Sequence, residues 1–242
     1  MKTTITNSSA AKWIVLGFLM IIICIISFMK SPNAITKTLE GLSSDVRSYS
    51  VFIHVLFLVV VGVGLVFRRG RDFLFSMFLA LLSLSAMIIS IKYLIAPNIL
   101  MFTMIFGLIL YAFLSKQIHF NFKNAAPIDL FFGFLGLVFG FWYLHWVESP
   151  LWLNAFLLSP LGTANCPTLL TICGFLCLSN EPRLALLEVA VGLMTLFFGF
   201  FGIFRLGAYV DIVLIICALY LVGRCGFTVF RMSHMVTKTD VS

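Results

Sequence analysis

The densest run of residues able to do chemistry lies late in the chain, where Ser159-Pro160-Leu161-Gly162-Thr163-Ala164-Asn165-Cys166-Pro167-Thr168 leads into an apolar stretch. Proline is favoured at the first position of a helix, so the spacing predicts a helix beginning at Pro167 with Cys166 as its N-cap. A thiol there faces unsatisfied backbone N–H groups and the positive end of the helix dipole. Both favour the thiolate and make Cys166 a candidate reactive cysteine. Cys173 and Cys177 follow on the same helical face. The competing reading is that cysteines in apolar helices are small packing residues. With no Cys-x-x-Cys pair and no clear histidine partner, neither a metal nor a cofactor is expected.

A second set of candidates comes from ionisable residues placed within or beside apolar stretches, each costing about 2.5–3.5 kcal/mol to insert into a bilayer. His54, Lys92, His145, Glu148, Arg205 and Asp211 all fall towards one end of the expected helices, with Cys166. Together with Asn165, Pro167 and Thr168 they describe a polar, titratable pocket. Each also has a plainer reading. Lys92 and Glu148 can snorkel to the interface, Arg205 and Asp211 can pair locally, and the two histidines can be hydrogen-bonded packing residues. Glu188 lies near the opposite end and is read as snorkelling.

The elements that must position these residues are transmembrane helices. Of 242 residues 62% are apolar and 10% are charged, far from the roughly 25% charge of a soluble domain. The mean hydropathy is +1.12. The excess of 16 basic over 9 acidic residues is scattered through the loops, which reads as a topology signal facing lipid and not as a nucleic-acid surface. Six dispersed cysteines form no disulfide framework.

A span needs about 20 residues, and the sequence predicts an all-α bundle of eight spans in a single integral membrane domain over residues 1–242. They run over Trp13–Met29, Val51–Phe67, Phe73–Ile91, Ile99–Leu114, Ile128–Val147, Pro167–Leu178, Leu184–Ile203 and Tyr209–Val222. The sixth is too short to cross alone. The first reads as a retained anchor in preference to a signal peptide, whose loss would leave seven. Residues 31–48 form an amphipathic segment with Ile35, Leu39, Leu42 and Val46 on one face. It suits either a helix lying on the external leaflet or a lid over an external cavity. Residues 224–242 read as a basic polar tail.

Placing Arg68, Arg69 and Arg71 in the cytoplasm puts Lys2, Lys12, Lys116, Lys123, Arg183, Arg224, Arg231 and Lys238 there too. It leaves Lys30, Lys37, Arg47, Lys92 and Arg205 outside, both termini inside, and no Lys or Arg in the outer segment 148–165. That asymmetry fits the positive-inside rule of an inner membrane. Gly133, Gly136 and Gly140 permit a close helix crossing, as do Gly199 and Gly202. Trp142, Trp146 and Trp152 mark an interfacial belt.

From about residue 45 onward the order of motifs resembles an uncharacterised family of bacterial polytopic membrane proteins. The likeness rests on the amphipathic lead-in, the Ala96-Pro97-Asn98 turn, the Gly162 to Gly174 block around Asn165-Cys166-Pro167-Thr168, and Leu206-Gly207 followed by Asp211. That block is usually Pro-Cys-Pro-Thr in the family, and here Asn165 stands in the first place. The resemblance implies a fold and no reaction. Three functions stay open: a small-molecule or ion permease built around a broken sixth span, a membrane-embedded thiol enzyme, and a structural or accessory subunit. The bilayer is the expected partner, with a homo-oligomer or a membrane complex both open. No phosphate-binding loop, metalloprotease helix or nucleophile elbow is present.

Overall fold

A computed structural model of the chain describes residues 3–122, 125–145 and 156–239. Among them the protein is helical without strands, apart from an isolated bridge between His119 and Asn180. Six helices are long and apolar enough to cross a membrane. These comprise α1 (Thr3–Phe28), α3 (Arg47–Val66), α4 (Arg71–Lys92) and α5 (Ala96–Leu114). The other two are α8 (Ala185–Phe201), prolonged by a π-helical turn at Gly202–Leu206, and α9 (Ile212–Thr239), entered through a 3-10 turn at Tyr209–Asp211. Three shorter helices accompany them: amphipathic α2 (Pro32–Asp45), α6 (Pro127–Phe141) and α7 (Asn165–Cys177).

The short α7 is the hub. Every residue from Cys166 to Cys177 is buried, which marks a helix surrounded by protein on all sides. It packs against α4, α6, α8 and α9. Its closest neighbour is α6, and the predicted glycines make that approach. A side chain on Gly136 would meet the Gly174 backbone at 2.7 Å, and one on Gly140 would meet the Thr171 backbone nitrogen at 2.9 Å. Gly174 is equally crowded by Leu137 and Gly133. By contrast α1 is peripheral: over residues 10–28 Leu16, Ile23 and Ser27 are buried and most of the apolar surface faces outwards.

Two ends of the bundle follow from the connections. One gathers the end of α1, α2, the α4–α5 turn, the start of α7 and the α8–α9 turn around a cavity. The other joins the starts of α4 and α6 to the end of α7. There Arg71, buried and not a free loop charge, donates to the carbonyls of Gly64, Leu65 and Phe120 and lies over the Phe122 ring. His119 pairs with Asp72 at 2.8 Å. Although α7 has only 13 residues, about 20 Å at 1.5 Å per residue, it carries the chain from the first end to the second.

Three boundaries differ from the sequence reading. Helix α6 stops at Phe141, short of Val147, because the Phe141 carbonyl leaves the helical ladder and accepts from Ser159 Oγ at 2.9 Å, beside His54 Nε2, also at 2.9 Å. Helix α7 starts two residues early, capped by Ala164, with Cys166 inside its first turn. Proline is tolerated there, since first-turn N–H groups lack intrahelical partners. Residues 224–239, expected as tail, continue α9 as helix. Glu148, Trp146, Trp152 and Lys123 lie outside the described residues.

Candidate functional site

Asp211 is the centre of the site. The π-turn and Gly207, which holds the left-handed φ of +69° that suits glycine, fold the chain back so that Ala208 N–H donates to the Gly202 carbonyl at 2.9 Å. The reversal sets the Asp211 carboxylate directly against Gly202, where any Cβ would collide with it. Single π-turns of this kind are rare and concentrate at functional sites.

The fully buried carboxylate is held by two donors. Tyr143 Oη donates to Oδ1 at 2.5 Å, and the Cys166 thiol donates to Oδ2 at 3.4 Å. Tyr143 is itself completely buried and reaches this position because α6 ends two residues before it. The first turn of α7 is fixed by Thr168, whose Oγ1 accepts from Gly162 N–H at 2.9 Å and donates to the Ala164 carbonyl at 2.6 Å. Gly162, at φ +71°, is tied in turn by Ser85 Oγ at 2.7 Å. The thiol therefore faces a carboxylate, the reverse of the electropositive setting that activates a cysteine. This geometry supports a hydrogen-bonded thiol and not a thiolate nucleophile.

Cys166 and Asn165 also form part of the wall of a cavity of about 390 Å³, within the ~300–1,000 Å³ typical of ligand cavities. The other walls come from the end of α1, from Ile35, Thr38 and Leu39 of α2, from Leu94 to Asn98, and from Phe198, Phe201, Gly202 and Leu206. Helix α2 thus forms one wall of the cavity. It starts at an N-cap Ser31 with Pro32 in its first turn, buries Leu39, Leu42 and Val46, and is latched across the α4–α5 turn by Tyr93 Oη donating to Asp45 Oδ2 at 2.5 Å. Burial first, and then the Asp45 carboxylate, push the Tyr93 phenol up to about 12.

The remaining candidates disperse. Arg205 does not pair with Asp211; it donates to the carbonyls of Phe28 and Lys30 at 3.2 and 2.9 Å and sits over the Phe28 ring. There it complements the negative end of α1. His54 is a fully buried staple between α3 and the end of α6: Nδ1 lies 2.7 Å from the Ser50 carbonyl and Nε2 lies 3.2 Å from Ser159 Oγ. His145 is half-buried within electrostatic reach of Glu40 on α2. Pro167 and Thr168 shape the helix start without lining the cavity. Cys173 and Cys177 lie towards the far end of α7 near Cys217, all six cysteines are free, and no group of three metal-ligating residues occurs among the described residues.

Two features escaped sequence reading. Tyr143 had a faint signal, since a buried phenol needs a polar partner, but that partner lies 68 residues away. The second is a charge cluster at the opposite end. Arg224 donates to Glu188 Oε1 at 2.5 Å and Asp129 Oδ1 at 3.1 Å, and to the carbonyls of Leu176 and Cys177 at 2.6 and 2.7 Å. Glu188 is therefore buried and paired, not snorkelling, and Arg224 caps the C-terminus of α7. Comparison of the chain with protein-family models, curated proteins and solved structures finds no match.

Proposed function

We propose that the protein is a multi-pass membrane protein of a bacterial inner membrane that binds a small molecule in the α2-covered cavity, most simply as a permease. The observation that carries this reading is the cavity itself. It ends on Cys166, whose thiol is bonded to a buried carboxylate, and it lies at the start of a short helix in the heart of the bundle. Broken or short helices with their N-termini at a substrate site are a recurrent transporter construction. The walls come from the ends of α1 and α8, from α2 and from the starts of α5 and α7, which supports a site enclosed between helices.

The orientation belongs to the proposal. With Arg68 and Arg69 inside, the cavity opens outwards and both termini lie in the cytoplasm. The alternation of the two ends along the chain supports eight crossings, with α6 and α7 as the short members. The end of α1 supplies a wall of the cavity, which favours a retained first helix. Membership of the family of polytopic bacterial membrane proteins that the sequence resembles is part of the same proposal.

The test is alkylation of Cys166 as the sole cysteine in intact cells by a small membrane-impermeant thiol reagent. Labelling that slows when Leu39→Trp fills the cavity is the expected result. Labelling only after denaturation would remove the outward cavity and with it the permease reading.

A further inference from the structure

Of the described residues lining the cavity, Lys30 is the charged one, and no carboxylate shares the wall with it. Its Nζ lies 3.5 Å from the Leu94 carbonyl, beside the start of α5. The first turn of α5 contributes Ala96, Pro97 and Asn98 to the cavity wall, bringing the positive end of a 19-residue helix to it. Asn98 is the independent sign of a ligand. It is 3% exposed, lines the cavity, and its side-chain amide makes no hydrogen bond to any described residue. An amide that pairs with no described residue and stands in a cavity wall is open to a ligand that supplies the missing hydrogen bonds. The hydroxyls of Ser27 and Thr38 are committed instead to the carbonyls of Ile23 and Ala34, each at 2.7 Å.

We propose that the cavity binds an anionic amphipath, its oxyanion held by Lys30, the Asn98 amide and the start of α5, and its apolar body lying along Leu39, Phe198 and Phe201 towards Cys166. This rests on the cavity being a ligand site. Asp211 fixes the direction. Its carboxylate stands behind Cys166, so its charge opposes a second anion at the α7 end and leaves the α5 end as the place for the headgroup. Pro97 has no N–H and the Asn98 N–H is taken by the Ile95 carbonyl at 3.1 Å, so an anion gains here from the Lys30 charge, the Asn98 amide and the positive end of the α5 dipole, an attraction of full charges that an alcohol or a cation lacks.

The experiment uses the full chain with Cys166 as sole cysteine, in nanodiscs of zwitterionic phosphatidylcholine at pH 8, and measures how far decanoate, decanol and decyltrimethylammonium slow alkylation of Cys166. Decanoate is expected to reach half-protection at a concentration about tenfold below that of decanol, with the cation weakest. Asn98→Leu and Lys30→Gln should each remove most of decanoate's advantage, every variant being compared with its own unliganded rate. Asn98→Asp, nearly the same in shape, sets a carboxylate against the Lys30 charge and should abolish decanoate's advantage over decanol altogether. Equal protection by all three amphipaths would overturn the anionic class while leaving a ligand cavity standing; protection by none would overturn both. Nanodiscs containing phosphatidylglycerol separate the sources of this chemistry. Protection there without added decanoate identifies a bilayer lipid as the anion, and protection that still requires decanoate identifies a free solute.

Discussion

A carboxylate withdrawn from water has to be met by donors, and Asp211 has Tyr143 on one oxygen and Cys166 on the other. Tyr143→Phe keeps the ring and removes the stronger donor, so it should lower stability by about 1–3 kcal/mol, read by reversible denaturation in detergent, whereas Cys166→Ser should be close to neutral. Gly202→Ala drives a methyl into the carboxylate and should be the more damaging of the single-atom changes at this turn. The Tyr93–Asp45 latch has a pH signature. A phenol whose pKa rises from 10.0 to about 12 on folding contributes stability that is complete below pH 10 and is lost as pH climbs through 12. The phenolate absorbance of the native protein minus that of Tyr93→Phe should therefore titrate near 12. A difference curve centred near 10 would mean that the latch is open.

At the level of elements, α7 is held by its neighbours and not by its own length. Its face towards α6 is glycine against glycine, so Gly136→Leu should cost about 1–3 kcal/mol or more through overpacking. Gly107→Ala on α5, where an added methyl meets nothing within 4 Å, should be neutral or stabilising by up to about 1 kcal/mol. Its far end is held by Arg224, and Arg224→Leu takes the nearer cation from Glu188, which keeps Arg183 at 3.7 Å, and leaves Asp129 with the Tyr220 hydroxyl alone among the described residues. The expected loss is about 3–5 kcal/mol. Adding Glu188→Gln should restore part of it, and a double variant as unstable as the single would mean that the carbonyl contacts to Leu176 and Cys177 dominate.

For the whole molecule, the two ends differ in kind. One is an apolar cavity under an amphipathic helix, with its buried acid behind the wall; the other is closed by charge pairs, Arg224 with Glu188 and Asp129, and His119 with Asp72. A closed far side and an open near side are what an outward-facing permease would present. A cysteine at Thr36 should then be labelled from outside intact cells, and one at Arg69 only after permeabilisation. The reverse pattern would invert the orientation while leaving the fold untouched.

Composition and hydropathy determined the helical class, the six long helices, the amphipathic α2 and the glycine crossing, because each is written in local periodicity and solvent preference. Proximity of Cys166 to Asp211 was legible only as a shared end of the bundle. Their bond, the Tyr143 donor and the Arg224 cluster join residues 36 to 95 positions apart, and no local pattern encodes such pairings. Two helix ends illustrate the same limit. The apolar run past Phe141 reads as helix until Ser159 takes the carbonyl, and Arg205 reads as a partner for Asp211 until α1 presents it with unsatisfied carbonyls. The sequence by itself determined which stretches are helical and which faces are apolar. Only tertiary packing decided which buried polar groups meet, since a buried donor or acceptor is satisfied by whatever the rest of the chain brings to it.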